Sequence, residues 1–295
     1  MAVFTIAGLT VREAARRKTL LGSFLLGLLT FAISLLLFIL HQHMMHLVNT
    51  GRWTEQQVAI QYPIAIGAVA SLCISAIKVL GAIFGAILAG GAISGELDRG
   101  LLAVILPRPF PRWQLVLGKW VGINLILCGS VLTWTVMDWA SLTYQSHQNL
   151  TPILQAGLAL TLFPALISTI ALTFSTVAPR LFGTILALLV GGIAWFDGFL
   201  NALGKMFHVQ LLHNLAVVAG LLLPQSYVGY WVEAETDKLD FVSSFGRTKL
   251  WQSPRFLTEW GAAHLHFPRL DALYVAAYIL GALLLGMVLF QRRDI

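Results

Sequence analysis

The sequence predicts an all-α polytopic membrane protein, with six transmembrane helices, an N-terminal interfacial helix and an outer re-entrant segment. Three observations predict it. Apolar residues make up 58% of the 295 residues and charged residues only 11%, against about 25% charged in a soluble domain. The apolar residues gather into runs of about 20 or more, the length that crosses a hydrocarbon core roughly 30 Å thick. The Lys and Arg residues concentrate on one side of those runs. Together these exclude a cytosolic enzyme, a disordered chain and a disulfide-built secreted domain. A net charge of +6 then reflects basic residues retained in the cytosol, with no need for nucleic acid as a partner. Cys73 and Cys128 both lie in apolar runs and read as small buried hydrophobes.

Taken in order, residues 2–18 form a basic amphipathic segment. On a helix, Val3, Phe4, Ala7, Val11, Ala14 and Ala15 share one face, with Thr5, Arg12 and Arg16 opposite. Such a helix lies in the inner interface. The first run, Leu20 to Leu40, is free of charge. It is too long for a signal-peptide core and no small-residue cleavage site follows it, so it is a retained helix. The second run, Ile64 to Ala92, is interrupted only by Lys78. The third, Leu115 to Tyr144, carries Asp138 near its far end. Ile153 to Val177, Leu181 to Leu200 and Ala272 to Phe290 complete the six. Between the last two, Val209 to Leu223 is broken by His213 and Asn214 and ended by Pro224. Its clean part is too short to span, and a half-helix or re-entrant segment fits better.

Charge sets the orientation. With six spans both basic ends share one side, and that side carries Arg12, Arg16, Arg17, Lys18, Arg99, Arg108, Arg112, Lys119, Arg180, Arg292 and Arg293. The two short outer loops carry only Arg52. The positive-inside bias therefore puts both termini in the cytosol.

Few residues inside the spans could carry chemistry. Lys78 lies at mid-membrane, where a lysine costs about 2.5 to 3.5 kcal/mol on insertion scales. It is a candidate for a translocation path, with Asp138 as a possible partner, although Asp138 and Asp197 fall near outer ends where water reaches. The run His41-Gln-His-Met-Met-His46 holds donors that suit copper, but His41 and His43 point to different helix faces, so a polar membrane rim is the plainer reading. Gly81-x-x-x-Gly85 and Gly118-x-x-x-Gly122 allow close helix approach, within one subunit or between two. An intramembrane enzyme is disfavoured, since no H-E-x-x-H occurs and the histidines lie at or beyond the outer rim. A passive channel or secondary carrier would favour an internal repeat, and none is visible.

The inner loop between the second and third runs is the most distinctive segment. Gly95 and Gly100 permit a turn, Leu101 to Leu106 is a short apolar stretch, and Pro107, Pro109 and Pro111 stop it. Flanked by Glu96, Asp98, Arg99, Arg108 and Arg112, it is a poor span and a good knob for a partner's groove. Here Glu96, Gly100-Leu101-Leu102, Leu106-Pro107-Arg108-Pro109, Arg112 and Gly118-Lys119 resemble the second-span exit of ABC-2-type transporter permeases. That family reads approximately E-x-x-x-G-T-L, then L-x-x-P, then R and G-K; Leu101 stands where it usually has Thr. Residues 2–18 look like its connecting helix, Leu223-Pro224 with Tyr227 like its Pro-marked outer segment, and Phe290 to Asp294 like the end of its last span.

The resemblance implies one transmembrane domain over residues 1–295. Residues 1–19 would be the connecting helix, 93–112 the coupling loop, and 205–269 an outer re-entrant segment with a small outer subdomain. It implies the membrane half of an ATP-binding cassette exporter in the plasma (inner) membrane of a prokaryote. Two permease chains would pair, and separate ATPase subunits would dock below. The residues implied to couple to the ATPase are Glu96, Arg99, Gly100, Leu101, Leu102, Leu106, Pro107, Arg108 and Arg112. The sequence has no G-x-x-x-x-G-K-[ST], and Gly118-Lys119 lacks both the upstream glycine and the following Ser or Thr. ATP is therefore expected on the partner subunit, with no cofactor and no catalytic residue in this chain.

Overall fold

The structure is a computed structural model that describes residues 2–16, 18–98, 111–195, 209–211, 214, 224–236, 239 and 268–292. Every regular element among the described residues is an α-helix. Helix α1 (Ala2–Arg16) leads through Lys18 to α2 (Thr19–Ser34) and α3 (Leu36–Asn49). Lys18 has φ 59°, a left-handed conformation that a non-glycine residue adopts at some cost and that turns the chain sharply between α1 and α2. Helix α4 (Glu55–Gly90) starts with a reciprocal cap. The Gln57 N–H donates to Thr54 Oγ1 at 3.3 Å and the Thr54 N–H to Gln57 Oε1 at 2.9 Å. A short α5 (Ser94–Leu97) follows, then α6 (Arg112–Ser146).

The fourth apolar run folds as α7 (Thr151–Leu160) and α8 (Leu162–Ser175), broken at Thr161. The break has a local cause: Pro164 has no N–H to offer the Leu160 carbonyl, and its ring crowds that turn. Helices α9 (Arg180–Trp195), α10 (Gln225–Thr236) and α11 (Pro268–Gln291) complete the described elements.

Among the described residues five stretches are long and apolar enough to cross a membrane: Thr19–Asn49, Glu55–Leu97, Arg112–Ser146, Thr151–Ser175 and Ala272–Gln291. The expected span from Leu181 to Leu200 differs. Its helix, α9, is apolar over Leu181–Gly192 and ends at Trp195 among the described residues, short of a full crossing. Residues 196–208 and most of the outer segment, 205–269, lie outside the described residues. The first span also runs farther than its apolar core, through the histidine-rich stretch to Asn49.

Helices α4, α6 and α8 form the heart of the bundle, where Ile77, Phe84, Leu127, Trp134, Phe163 and Leu166 share one buried cluster. A second cluster, around Leu37, Ile66, Val69 and Leu142, joins α3, α4 and α6. By contrast Leu21 and Leu25 of α2, Phe182 and Ile185 of α9, and Leu280 and Leu284 of α11 are exposed. Outward apolar faces of this kind are disfavoured in water and suited to lipid.

Without a hydrophobic drive between helices in lipid, small residues and hydrogen bonds set the contacts. Helices α2 and α6 show this most clearly. Ser23 Oγ donates to Ser130 Oγ at 2.7 Å, and the Trp134 indole N–H to the Ser23 carbonyl at 2.9 Å. The same set recurs eleven residues on (23 to 34, 130 to 141). Ser34 Oγ donates to Ser141 Oγ at 2.8 Å, and Gln145 Nε2 to the Ser34 carbonyl at 3.4 Å. Constant offsets require the two helices to run parallel, as the first and third of alternating spans must. Eleven residues are about three turns, so one face of each helix repeats the contact. Between the two sets Trp134 packs closely on Gly27, where a Cβ would stand 2.5 Å from Trp134 Cδ1.

Both glycine pairs are used within the subunit. Gly85 and Gly81 seat Pro164 of α8: a Cβ on Gly85 would stand 3.0 Å from the Pro164 carbonyl oxygen. Gly118 and Gly122 seat α1, where Cβ atoms would meet Ile6 Cβ and Thr10 Cβ, each at 2.7 Å. That contact also corrects the expected apolar face of α1. Ala7 and Ala14 are buried against the bundle, with Ile6 and Thr10 beside them. Phe4, predicted to share the face, is 79% exposed.

Candidate functional site

Helices α1, α4, α5, α6 and α8 meet around Glu96. The chain leaves α4 and turns into α5 at Ile93 and Ser94, both almost fully buried. Their backbone N–H groups both donate to the Ser175 hydroxyl, each at 3.1 Å. Ser175 ends α8, so one side chain satisfies two donors at the start of α5 and fastens it to a different span.

Glu96, one turn on, forms an ion pair with Lys119 of α6. The lysine side chain is only 6% exposed and the glutamate side chain 20%. A buried ammonium needs a countercharge, and Glu96 supplies it across two segments 23 residues apart. The neighbouring residue, Gly118, receives α1. The Gly118-Lys119 pair therefore does two jobs with adjacent residues on different faces: the glycine seats α1 and the lysine holds α5. A cleft of about 160 Å³ remains between these parts, lined by Thr10, Glu13, Gly91, Gly95, Glu96 and Lys119 among others.

Arg112, at the start of α6, donates from its guanidinium to the Gln291 carbonyl at 3.3 Å. Gln291 is the last residue of α11, where unsatisfied carbonyls and the helix dipole favour a cation. Of the expected coupling residues, Glu96 and Arg112 are thus placed at the end of the bundle where α4 leads into α5 and α6 begins. Arg99, Gly100, Leu101, Leu102, Leu106, Pro107 and Arg108 lie outside the described residues.

The two intramembrane ionisable residues have different surroundings. Lys78 of α4 holds its ammonium 4.2 Å from the centre of the Phe163 ring on α8, a cation–π contact that eases its burial. Asp138 of α6 faces Thr30 of α2 and lies near Cys73 of α4. It is 1% exposed, so the expectation that water reaches it is corrected. Cys73 itself belongs to the buried cluster of Leu37, Ile66, Val69 and Leu142. Neither of its carboxylate oxygens has a hydrogen-bond partner among the described residues; the adjacent Thr30 hydroxyl donates instead to the Gly27 carbonyl at 2.9 Å.

The histidine run gives no common site. His41 packs its ring 4.7 Å from that of Tyr62, while His43 and His46 are exposed. No group of three or more His, Cys, Asp or Glu residues is gathered for a metal among the described residues.

Sequence reasoning placed Glu96 in the loop but did not find its partner, nor Ser175. A signal existed for Lys119: it is the one charge in the run from Leu115 to Ala140 besides Asp138, and no acid lies within a helical turn of it. Ser175 carried none. No curated protein matches the chain. The model of the ABC-2 family transporter proteins matches residues 4–295, a span that includes every element described above except the first two residues of α1. The chain belongs to the ABC-2 family of transporter proteins.

Proposed function

We propose that this chain is the membrane-spanning permease subunit of an ATP-binding cassette exporter, pairing with a second permease chain and with separate ATPase subunits that bind the ATP. The observation that carries the reading is the anchoring of Glu96. The segment entering the inner loop is fixed at its start to α8 through Ser175 and to α6 through Lys119. A push on that loop from the cytosol would therefore reach two spans at once. The position suits a coupling element, and it is the position at which the family motif falls.

In this reading α9 and its continuation make the sixth crossing, both termini are cytosolic, and the membrane is the inner membrane of a prokaryote. A cysteine at Lys249 (Lys249→Cys) is then expected to react with an impermeant thiol reagent from outside intact cells. Reaction only after the cytosolic face is opened would overturn the six-span arrangement.

Lys78 and Asp138 line or gate the path. Asp138 is a costly residue to bury with its oxygens unpaired, and proteins retain such residues where function needs them. Asp138→Leu is expected to leave the melting temperature in detergent equal to or above that of the wild type, because an apolar isostere removes a buried charge. ATP-driven transport should be lost. Unchanged transport would remove Asp138 from the path.

The test of the whole reading is purification of the chain from its native membrane under mild conditions. A Walker-bearing ATPase should accompany it, and depleting ATP should stop export. A chain that purifies without such a partner, from cells whose export survives ATP depletion, would instead be a channel or secondary carrier.

A further inference from the structure

Asp138 sits on the seam that joins α2 and α6. The Ser23–Ser130 contact lies on one side of it along the helices and the Ser34–Ser141 contact on the other. Thr30 faces it from α2, and Cys73 lies beside it on α4. Asp138 is 1% exposed, Cys73 2%, and Thr30 is fully buried. Bulk solvent is therefore excluded from the carboxyl while the two helices are together.

The hydrogen bonds decide what these neighbours can offer. A hydroxyl has one proton to donate and lone pairs to accept with. Thr30 gives its proton to the Gly27 carbonyl, at 2.9 Å, so towards Asp138 it presents lone pairs alone. An ionised carboxylate is also purely an acceptor, and neither Asp138 oxygen has a hydrogen-bond partner among the described residues. Two acceptors thus face each other with no donor between them. A neutral acid removes the conflict, because its O–H can donate to Thr30 Oγ1. It also removes a buried charge, which costs far more than a buried hydroxyl.

No cation within hydrogen-bond reach offsets a charge there, since both oxygens lack a partner. Helices α2, α7 and α8 carry no ionisable side chain. Helix α4 brings Cys73, a weak donor, and Lys78, whose ammonium lies over the Phe163 ring; its Glu55 and Tyr62 stand at the helix start. Helix α3 brings His41, packed on Tyr62, and the exposed His43 and His46. On α6 itself, Lys119 is towards the opposite end and paired with Glu96, Arg112 starts the helix, and Tyr144 is exposed.

We infer that Asp138 is a proton-binding site: with α2 and α6 together it holds one proton and donates it to Thr30 Oγ1. When the seam parts and solvent enters, the O–H bond breaks, the proton passes to water and the electron pair stays on the carboxylate. Protonation of the chain is thereby tied to the closing of one helix seam. Only the exchange of that proton during an ATP-driven cycle rests on the function proposed above. Asp138→Leu then removes a buried polar group rather than a charge, with the same expected sign on stability.

Infrared difference spectroscopy of the full chain in lipid vesicles, at neutral pH and without nucleotide, tests the binding. Wild type minus Asp138→Asn should show the carbonyl stretch of a protonated carboxyl, and the band should move when aspartate is labelled with heavy carbon. If Asp138→Asn does not fold, Asp138→Leu serves as the reference. Carboxylate bands in its place would overturn the inference. Thr30→Val keeps the shape and removes the acceptor, so the band should shift to higher frequency, as for a carboxyl that has lost its hydrogen bond. An unmoved band would overturn the donation to Thr30. Exchange is tested with the ATPase that accompanies the chain. Asparagine can donate to Thr30 as the neutral acid does, but it has no proton to release. Asp138→Asn should therefore keep the melting temperature and lose the stimulated ATP hydrolysis. Stimulation equal to that of the wild type would overturn the exchange. A wild-type chain that stimulates no ATPase would contradict the proposed function instead, and the infrared result would stand.

Discussion

Lys119→Met should destabilise the inner end of the bundle by about 3 kcal/mol, the lower end of what breaking a buried pair costs. The Lys119 side chain is 6% exposed, and its partner Glu96 keeps 20% of its surface in contact with solvent. Removing the ammonium leaves a half-buried carboxylate without a countercharge, and the residual exposure limits the penalty. Removing both partners, as in Lys119→Met with Glu96→Leu, should be milder than either single change, since no charge is stranded. A double-mutant cycle on thermal unfolding in detergent checks this. Additive effects of the two substitutions would mean that the pair contributes nothing. The functional loss should exceed the loss of stability, because α5 would keep only its attachment through Ser175.

Gly122→Leu is expected to release α1 from α6. A Cβ there would stand 2.7 Å from Thr10 Cβ and 2.9 Å from the Ala7 carbonyl oxygen. The second atom is backbone and cannot rotate away, so even alanine does not fit without a shift of the helix. Over-packing of this kind costs about 1 to 3 kcal/mol. Gly118→Leu should behave alike, with Ile6 Cβ at 2.7 Å and the Val3 carbonyl oxygen at 3.0 Å. Gly129→Leu, on the same helix and facing open space, is the control and should change little. Trypsin reports the difference: cleavage at Arg12 and Arg16 should accelerate in the Gly118 and Gly122 variants and stay at the wild-type rate in the control. Equal cleavage in all three would mean that α1 is held by something other than the two glycines.

Five of the six expected spans could be read from the sequence because lipid imposes a simple requirement. Every crossing needs an apolar run of sufficient length, and charge bias orients the set. What could not be read is how those helices meet. The break at Thr161 was marked by Pro164, yet a long apolar run outweighed it. The two glycine pairs announced close contacts but not their partners, which proved to be α1 and Pro164 within the same subunit. The parallel seam of α2 and α6 did leave a trace, since Ser23 and Ser34 repeat the spacing of Ser130 and Ser141. Asp138 was misjudged because its position along α6 says nothing of the neighbours that cover it. The anchoring of this segment was hidden for a related reason: Lys119 reaches Glu96 from 23 residues away, Ser175 reaches Ile93 and Ser94 from 82 and 81, and no local pattern encodes such pairs.

The central claim is that a separate ATPase drives this chain through the segment that Glu96 anchors. ATP hydrolysis by the ATPase subunit, reconstituted into vesicles with this chain, tests it most directly. The wild-type chain should stimulate hydrolysis. Glu96→Lys or Lys119→Glu alone should reduce the stimulated rate by roughly tenfold, the equivalent of about 1.4 kcal/mol of lost coupling, and the two reversals together should restore most of it. Hydrolysis that is the same with the chain present or absent, or the same in the wild type and both single reversals, would contradict the account.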